Sequence, residues 1–292
     1  MITCKLQGGL GNQLFQIFTT IEYALTNSKS FFFLNNYQLG NGENNSTIRY
    51  TYWNTFLSGL KPFLKNMNKI PKLLFVKENN LNYEILPKNF KDSYGTILIG
   101  YFQSPLYFDK YKDLICKLIK LDNKKYILKQ KLLNERLLNE DIYNNLDNTI
   151  SMHFRLGDYK KYPELYHILS ELYYNNSLTH ILNKTTNKIL TVLYFCEEED
   201  INDVINIITC LQEKFTFCNF CRATPLLDDW EQLLLMSLCS HNIIANSTFS
   251  WWGAYFNNNT NKIVCYPEQW FVKMSNNNTT NMFPDDWIKI NN

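Results

Sequence analysis

Thr149-Ile150-Ser151-Met152-His153-Phe154, running at once into Arg155-Leu156-Gly157-Asp158-Tyr159, is the stretch on which the fold turns. Residues 149–154 read as a strand, and the loop after it holds a cation, a glycine and a carboxylate. Side chains alternate along a strand, so His153 and Arg155 leave on one side. They do so at the carboxyl end, where open α/β sheets bind ligands. Arg155 offers a forked, permanently charged donor suited to phosphate oxygens. Gly157 permits a close turn, and Asp158 either fixes that turn or accepts from a ligand. Taken alone, Arg155 reads more simply as one half of an ion pair at a strand end.

Downstream of this stretch the same rhythm repeats. Helical periodicity over 166–182, 200–213, 229–240 and 248–257 alternates with strand-like runs at 189–196, 215–219, 242–246 and 262–266. Such alternation predicts a parallel sheet covered by helices. Upstream, the turn-rich Asn144-Asn145-Leu146-Asp147-Asn148 marks a domain boundary, giving lobes 1–146 and 147–292. The first lobe opens with a strand at 2–6, a glycine-rich turn, a helix with Leu14, Ile17, Phe18, Ile21 and Leu25 on one face, and a strand at 31–34. Residues 96–102 read as a further buried strand, and 105–120 and 123–141 as amphipathic helices. The stretch 36–90 reads as loops with short helices. Two α/β lobes of this kind, facing each other, would enclose a cleft.

Three further segments carry chemistry. Asn246-Ser247-Thr248-Phe249-Ser250-Trp251-Trp252-Gly253-Ala254 ends a strand and starts a helix. Unpaired backbone N–H groups at such a start form an anion site, to which the hydroxyls of Ser247, Thr248 and Ser250 add donors. The plainer reading is that they cap the helix while Trp251 and Trp252 pack the core. Asp229, with Gln232 three residues on, resembles a capping box, and its carboxylate equally suits a guanine or ribose. The opening turn Gln7-Gly8-Gly9-Leu10-Gly11-Asn12-Gln13 lacks the third glycine of a dinucleotide fingerprint, because Leu14 stands there. Asn35, rather than an acid, follows the next strand. A nicotinamide cofactor is thereby disfavoured, and a tight turn presenting Asn12 and Gln13 remains.

Composition removes other classes. Of 292 residues, 45 % are apolar and 15 % aromatic, enough for sizeable cores. A net charge of +2 with no dense basic block gives no footprint for nucleic acid. No run of 18 apolar residues occurs, and the start lacks the pattern of a secretory signal. The eight cysteines sit mostly in apolar runs. Cys218 and Cys221 have C-x-x-C spacing without a second pair, so a reduced, cytoplasmic protein is expected.

Gly8 to Gln13, Gly100-Tyr101-Phe102-Gln103-Ser104, His153 to Asp158 and Asn246 to Ala254 stand in this order along almost the whole chain. Together they resemble the motifs of the α-1,2-fucosyltransferases, the galactoside enzymes of glycosyltransferase family 11. The resemblance implies a GT-B arrangement: α/β, with two Rossmann-like lobes whose parallel sheets face across a cleft. It implies metal-independent, inverting transfer of L-fucose from GDP-fucose to a galactose-containing glycan, with no cofactor. Arg155 would then hold the donor diphosphate and Asn12 would lie near the reacting sugar. His153, Gly157, Asp158, Asp229 and Asn246 to Ser250 would complete the donor site, and Gly9, Gly11 and Gln13 the turn on the acceptor side. The second arginine usual in the family is Leu156 here. The general base is not identified.

Overall fold

A computed structural model describes residues 1–40, 48–66, 72–88, 90–91, 93–185, 191–272 and 279–291. Contacts divide it into two compact units, Met1–Lys124 with Asn277–Pro284 and Lys125–Asn276 with Asp285–Asn292. The division falls near Lys124 rather than at the turn-rich 144–148. The physical reason is that the helical segment after Lys124 belongs with the second unit: Lys125 donates to the Phe256 carbonyl and Lys131 pairs with Glu231 at 2.8 Å.

The first unit begins with β1 (Ile2–Cys4), α1 (Leu10–Thr26), β2 (Phe33–Leu34), β3 (Gln38–Leu39), β4 (Arg49–Tyr50) and β5 (Leu64–Lys65). It continues with β6 (Leu73–Lys77), β7 (Gly95–Ile99) and α2 (Lys112–Leu118). Strands β1, β7 and β6 pair parallel in the order β1-β7-β6, and β2 pairs parallel with β5. A parallel bridge from Ile2 to Phe31 joins the two groups. The parallel order is therefore β5-β2-β1-β7-β6, with all carboxyl ends along one edge. The chain steps outward from β1 through β2 to β5, then returns on the other side through β6 and β7. The carboxyl ends of β1 and β7 lie side by side in the middle of this order, on the edge where ligands of open α/β sheets bind. Helix α1 forms because Leu14, Ile17, Phe18 and Ile21 recur at helical spacing, and all four are fully buried.

Four expectations for this lobe change. The strand expected to reach Phe102 ends at Ile99, and Phe102 turns at φ 55. The helix expected over 105–120 opens as two 3₁₀ turns and becomes α-helical only at Lys112. The helix expected over 123–141 divides into α3 (Leu121–Asn134) and α4 (Glu140–Asn144). The 36–90 stretch, expected to be loops and short helices, supplies β6, a full edge partner for β7.

The second unit carries β8 (Thr149–His153), α5 (Glu171–Lys184), β9 (Thr191–Phe195), α6 (Ile201–Lys214) and β10 (Asn219–Arg222). There follow α7 (Asp229–Met236), β11 (His241–Ile243), α8 (Thr248–Tyr255), β12 (Val264–Pro267) and β13 (Ile288–Ile290). The sheet order is β10-β9-β8-β11-β12-β13, parallel throughout. Three strands step one way from β8 and three the other way from β11, which is the Rossmann order. One sheet face packs Ile150, Met152, Val192 and Ile243 against Tyr173 and Leu178 of α5 and Val204 and Ile208 of α6. On the other face Asn242 donates to Ser151 Oγ (2.7 Å) and to the Met236 carbonyl at the end of α7 (2.9 Å). Asn257, just beyond α8, donates to Asn242 Oδ1 (2.8 Å), so α7 and α8 cover that face. Gly253 lets the two helices approach, since a Cβ there would stand 2.9 Å from Met236 Cβ.

The expected strand at 215–219 lies later, because Phe215 closes α6 and pairing starts at Asn219. The helix expected from 166 starts at Glu171; Tyr166 instead stacks on Tyr159 at 4.0 Å. Residues 189 and 190, at the start of another expected strand, lie outside the described residues. Among the described residues no helix is long and apolar enough to cross a membrane.

Candidate functional site

In the second unit the switch point lies between β8 and β11, whose register pairs Met152 with Ile243. The segments that leave these strands, 154–158 and 244–248, therefore emerge side by side. Tyr159 ties them together by donating its hydroxyl to the Asn246 carbonyl (2.8 Å). Arg155 lies over the Tyr159 ring, 5.5 Å from its centroid, and its guanidinium pairs with Glu197 just past β9. Glu197 also explains Gly157: a Cβ there would come 2.8 Å from a Glu197 carboxylate oxygen. The Gly157 N–H donates to Asp200 Oδ2 (2.6 Å), whose other oxygen holds Lys160 at 2.8 Å. Lys160 also reaches Asp203, and the two acids raise its pKa. The side chain of Asp158 lies outside the described residues.

His153 is buried beneath the start of α8, its ring 5.6 Å from that of Phe249, and its Nδ1 has no hydrogen-bond partner. Burial, reinforced by the charge on Arg155, lowers its pKa to about 3, so the ring is neutral at physiological pH. Ser247 is the N-cap of α8, its Oγ accepting from the Phe249 N–H (3.3 Å). Thr248 and Phe249 are partly exposed, whereas Ser250 is buried. Asn246 is buried as well. Its amide donates to the carbonyls of His167 (2.8 Å) and Trp270 (3.1 Å). Trp251 and Trp252 are core residues, as the plainer reading has it, with Trp251 stacked on Tyr255 at 4.7 Å. Leu156 belongs to the apolar core cluster, so the position of the family's second arginine serves packing in this chain.

Asp229 is exposed in the first turn of α7, the helix that follows β10 and packs beside α8. The capping box forms one residue earlier than expected, between Asp228 and Glu231, whose carboxylate accepts from the Asp228 N–H (2.9 Å).

In the first unit the turns after β1 and β7 lie side by side. Gly8 takes φ 78, and a Cβ there would stand 2.5 Å from Asn12 Nδ2, so only glycine allows the turn and the asparagine to coexist. Gly9 is the N-cap of α1, and Gly11, Asn12 and Gln13 fall in its first turn. Gln13 is buried and clamps the loop by donating to the carbonyls of Gly8 (3.0 Å) and Tyr50 (2.9 Å). Asn12 is partly exposed. Its Oδ1 accepts from Gln103 Nε2 at 2.9 Å, which leaves Nδ2, beside Gly8, as the donor end of the amide.

A carboxylate not singled out in the sequence completes this end. Glu78, directly after β6, accepts from the Tyr101 N–H (2.6 Å) and the Phe102 N–H (2.8 Å). It stands so close that a Cβ at Gly100 would meet it at 2.4 Å. These two bonds hold the left-handed turn at Phe102, a conformation that costs a non-glycine residue about 1–2 kcal/mol. Burial raises the Glu78 pKa to about 7. The only signal in the sequence is an acid directly following Leu73-Leu74-Phe75-Val76-Lys77. Among the described residues no three His, Cys, Asp or Glu side chains are grouped so as to hold a metal ion.

Residues 1–291 match the family described as Glycosyl transferase family 11. The chain belongs to that family. As a family 11 member it is a glycosyltransferase, and two relatives from Escherichia coli align with it end to end. The O-antigen biosynthesis glycosyltransferase WbnK is 27 % identical over 99 % of this chain and 100 % of its own. An α-1,2-colitosyltransferase is 26 % identical over 99 % of each chain. Among solved structures, a glycosyl transferase of family 9 from Veillonella parvula DSM 2008 superimposes with a TM-score of 0.46 at 9 % identity, covering 99 % of this chain and 86 % of that one.

Proposed function

We propose that this family 11 chain is an inverting, metal-independent transferase that moves L-fucose from GDP-β-L-fucose to O2 of a galactoside, acting in the cytoplasm. The observation that carries the reading is the pairing at the β8–β11 switch point of a forked cation, Arg155, with a helix start at Ser247–Ser250. Transfer puts positive charge on the sugar carbon and negative charge on the departing diphosphate. A guanidinium and the first-turn N–H groups of α8 are fixed donors for that negative charge. Such donors are worth roughly 3–4 kcal/mol each when aimed at charge that grows in the transition state. On this reading Glu197 holds Arg155 in place until a phosphate takes over its fork. Asn12 offers Nδ2 to the reacting sugars, with Gln103 fixing its orientation. The nucleoside extends along the sheet edge toward Asp229.

A second reading keeps the fold and exchanges the sugar. It is favoured by the relative named as a colitosyltransferase and by Leu156, which removes one cation from the donor site. Incubation with GDP-fucose and other sugar nucleotides, each with simple galactosides, separates the two. An α-1,2-fucosylated product identified by linkage analysis supports the first reading, and turnover confined to another donor supports the second. Binding without turnover would sink both.

A further inference from the structure

The first unit holds a cavity of about 570 Å³ at the carboxyl ends of β5 and β2. That volume lies in the range of small-ligand sites. Asn35 and Asn66, the residues that directly follow β2 and β5, stand at its base and are joined by a side-chain contact of 3.4 Å. Tyr37 and Trp53 contribute aromatic surface. Trp53 is anchored 5.6 Å from the Phe33 ring, and its buried indole N–H has no acceptor among the described residues. Lys61 and Lys65 also line it, and among the described residues the lining contains no aspartate or glutamate. Lys65 lies over the Phe32 ring with its Nζ donating to Met1 Sδ (2.9 Å), and neither lysine pairs with a carboxylate among the described residues. The wall is tied to the opening turn. Gln13 holds the Tyr50 carbonyl, and the next residue, Thr51, lines the cavity and donates to the Asn36 carbonyl (2.6 Å).

Amides for hydroxyl groups, an aromatic face for a pyranose ring and two uncompensated cations define one ligand chemistry. We propose that this cavity is a subsite for a negatively charged sugar unit of the acceptor glycan, distinct from the unit that receives the transferred sugar. The inference rests on the reading that the chain glycosylates a glycan. The negative charge has two possible sources, a carboxylate as in a uronic acid or a phosphate ester, and both suit Lys61 and Lys65. Attraction to exposed lysines is screened by salt, so a charged ligand should bind best at low ionic strength.

The test is calorimetric titration of the full chain at low and high salt with three probes: a galactosyl-glucuronic acid disaccharide, lactose, and galactose 1-phosphate. The acidic disaccharide or the phosphate should bind more tightly than lactose and weaken with salt, the stronger of the two naming the source of the charge. Lys61→Ala and Lys65→Ala should each weaken the charged probe by about fivefold with lactose unchanged. Lys61 is exposed, so its variant keeps the test alive should Lys65→Ala unfold. Arg155→Ala should leave this binding intact. Equal binding of charged and neutral probes, indifference to both lysine substitutions, or loss of the binding in Arg155→Ala would each overturn the proposal. Transfer to a neutral galactoside would survive such a failure. Conversely, binding at the cavity would survive failure of every donor tested.

Discussion

Gln103 and Asn12, 91 positions apart in sequence, meet through a 2.9 Å hydrogen bond from the glutamine amide to the asparagine Oδ1. The bond joins the turn after β1 to the turn after β7, whose strands are neighbours in the first sheet. It also decides which end of the Asn12 amide is available, since an asparagine whose oxygen is engaged presents its N–H₂.

If Asn12 Nδ2 serves the reacting sugars, Asn12→Ala lowers turnover by about 10²-fold and leaves GDP affinity unchanged. Gln103→Leu should give a smaller loss of the same kind, because Asn12 remains but is free to rotate. Steady-state kinetics beside GDP titration reads both. Equal loss of turnover and GDP binding would point to a misfolded lobe instead.

Glu78 carries a pH dependence. Its ionised carboxylate accepts from Tyr101 and Phe102 with one oxygen each, and protonation removes an acceptor from that pair. The acids and phenols around it are Glu84, Tyr83 and Tyr107. With its pKa raised to about 7, the turn that carries Gln103 is best held above pH 7 and loosens as the pH falls below it. The stability sign is opposite. Because the folded pKa exceeds the unfolded one, the folded state loses stability as the pH rises from about 4.5 through 7. Glu78→Gln should therefore flatten the acid limb of the kcat profile while reducing its plateau. An acid limb unchanged in the variant would remove Glu78 from the account.

The second sheet was legible because its strands are buried on both faces and read as apolar runs between helical segments. Thr149–His153 is buried at every position. In the first sheet the expected strands at 2–6, 31–34 and 96–102 hold β1, β2 and β7, whereas β5 and β6 fall in the stretch read as loops and short helices. β5 is two residues long, too short for any period. β6 lies at the sheet edge with Phe75 62 % exposed, so it shows neither a buried run nor a clean alternation. Gly100-Tyr101-Phe102 looked like strand because it is apolar, yet Phe102 is buried in a turn rather than a sheet. The motif residues stood out by their chemistry. Their partners Glu197 and Glu78 did not, because only folding brings them to Arg155 and to Phe102.

Removal of divalent metal should leave the rate unchanged. The sequence has no Asp-x-Asp motif, and on the proposed mechanism the charge on the leaving diphosphate falls to Arg155 and the start of α8. Assay in excess EDTA checks this. A collapse in rate that Mn²⁺ restores would transfer the role to a metal.

The Arg155–Glu197 pair permits the most direct test, because the two partners separate catalysis from architecture. If Arg155 grips the donor diphosphate, Arg155→Ala loses at least about 10²-fold in turnover and binds GDP more weakly. Arg155→Lys restores only part of this, since a point charge cannot reproduce the fork. Glu197→Gln, which breaks the same ion pair from the other side, should match Arg155→Ala in melting temperature yet retain most of the activity. Kinetics of all three variants with GDP-fucose at 10 °C, read beside their melting temperatures, is the deciding measurement. The account predicts similar melting for the two pair-breaking variants and a deep loss of turnover in Arg155→Ala alone. An Arg155→Ala protein that melts early but turns over normally at 10 °C would contradict it.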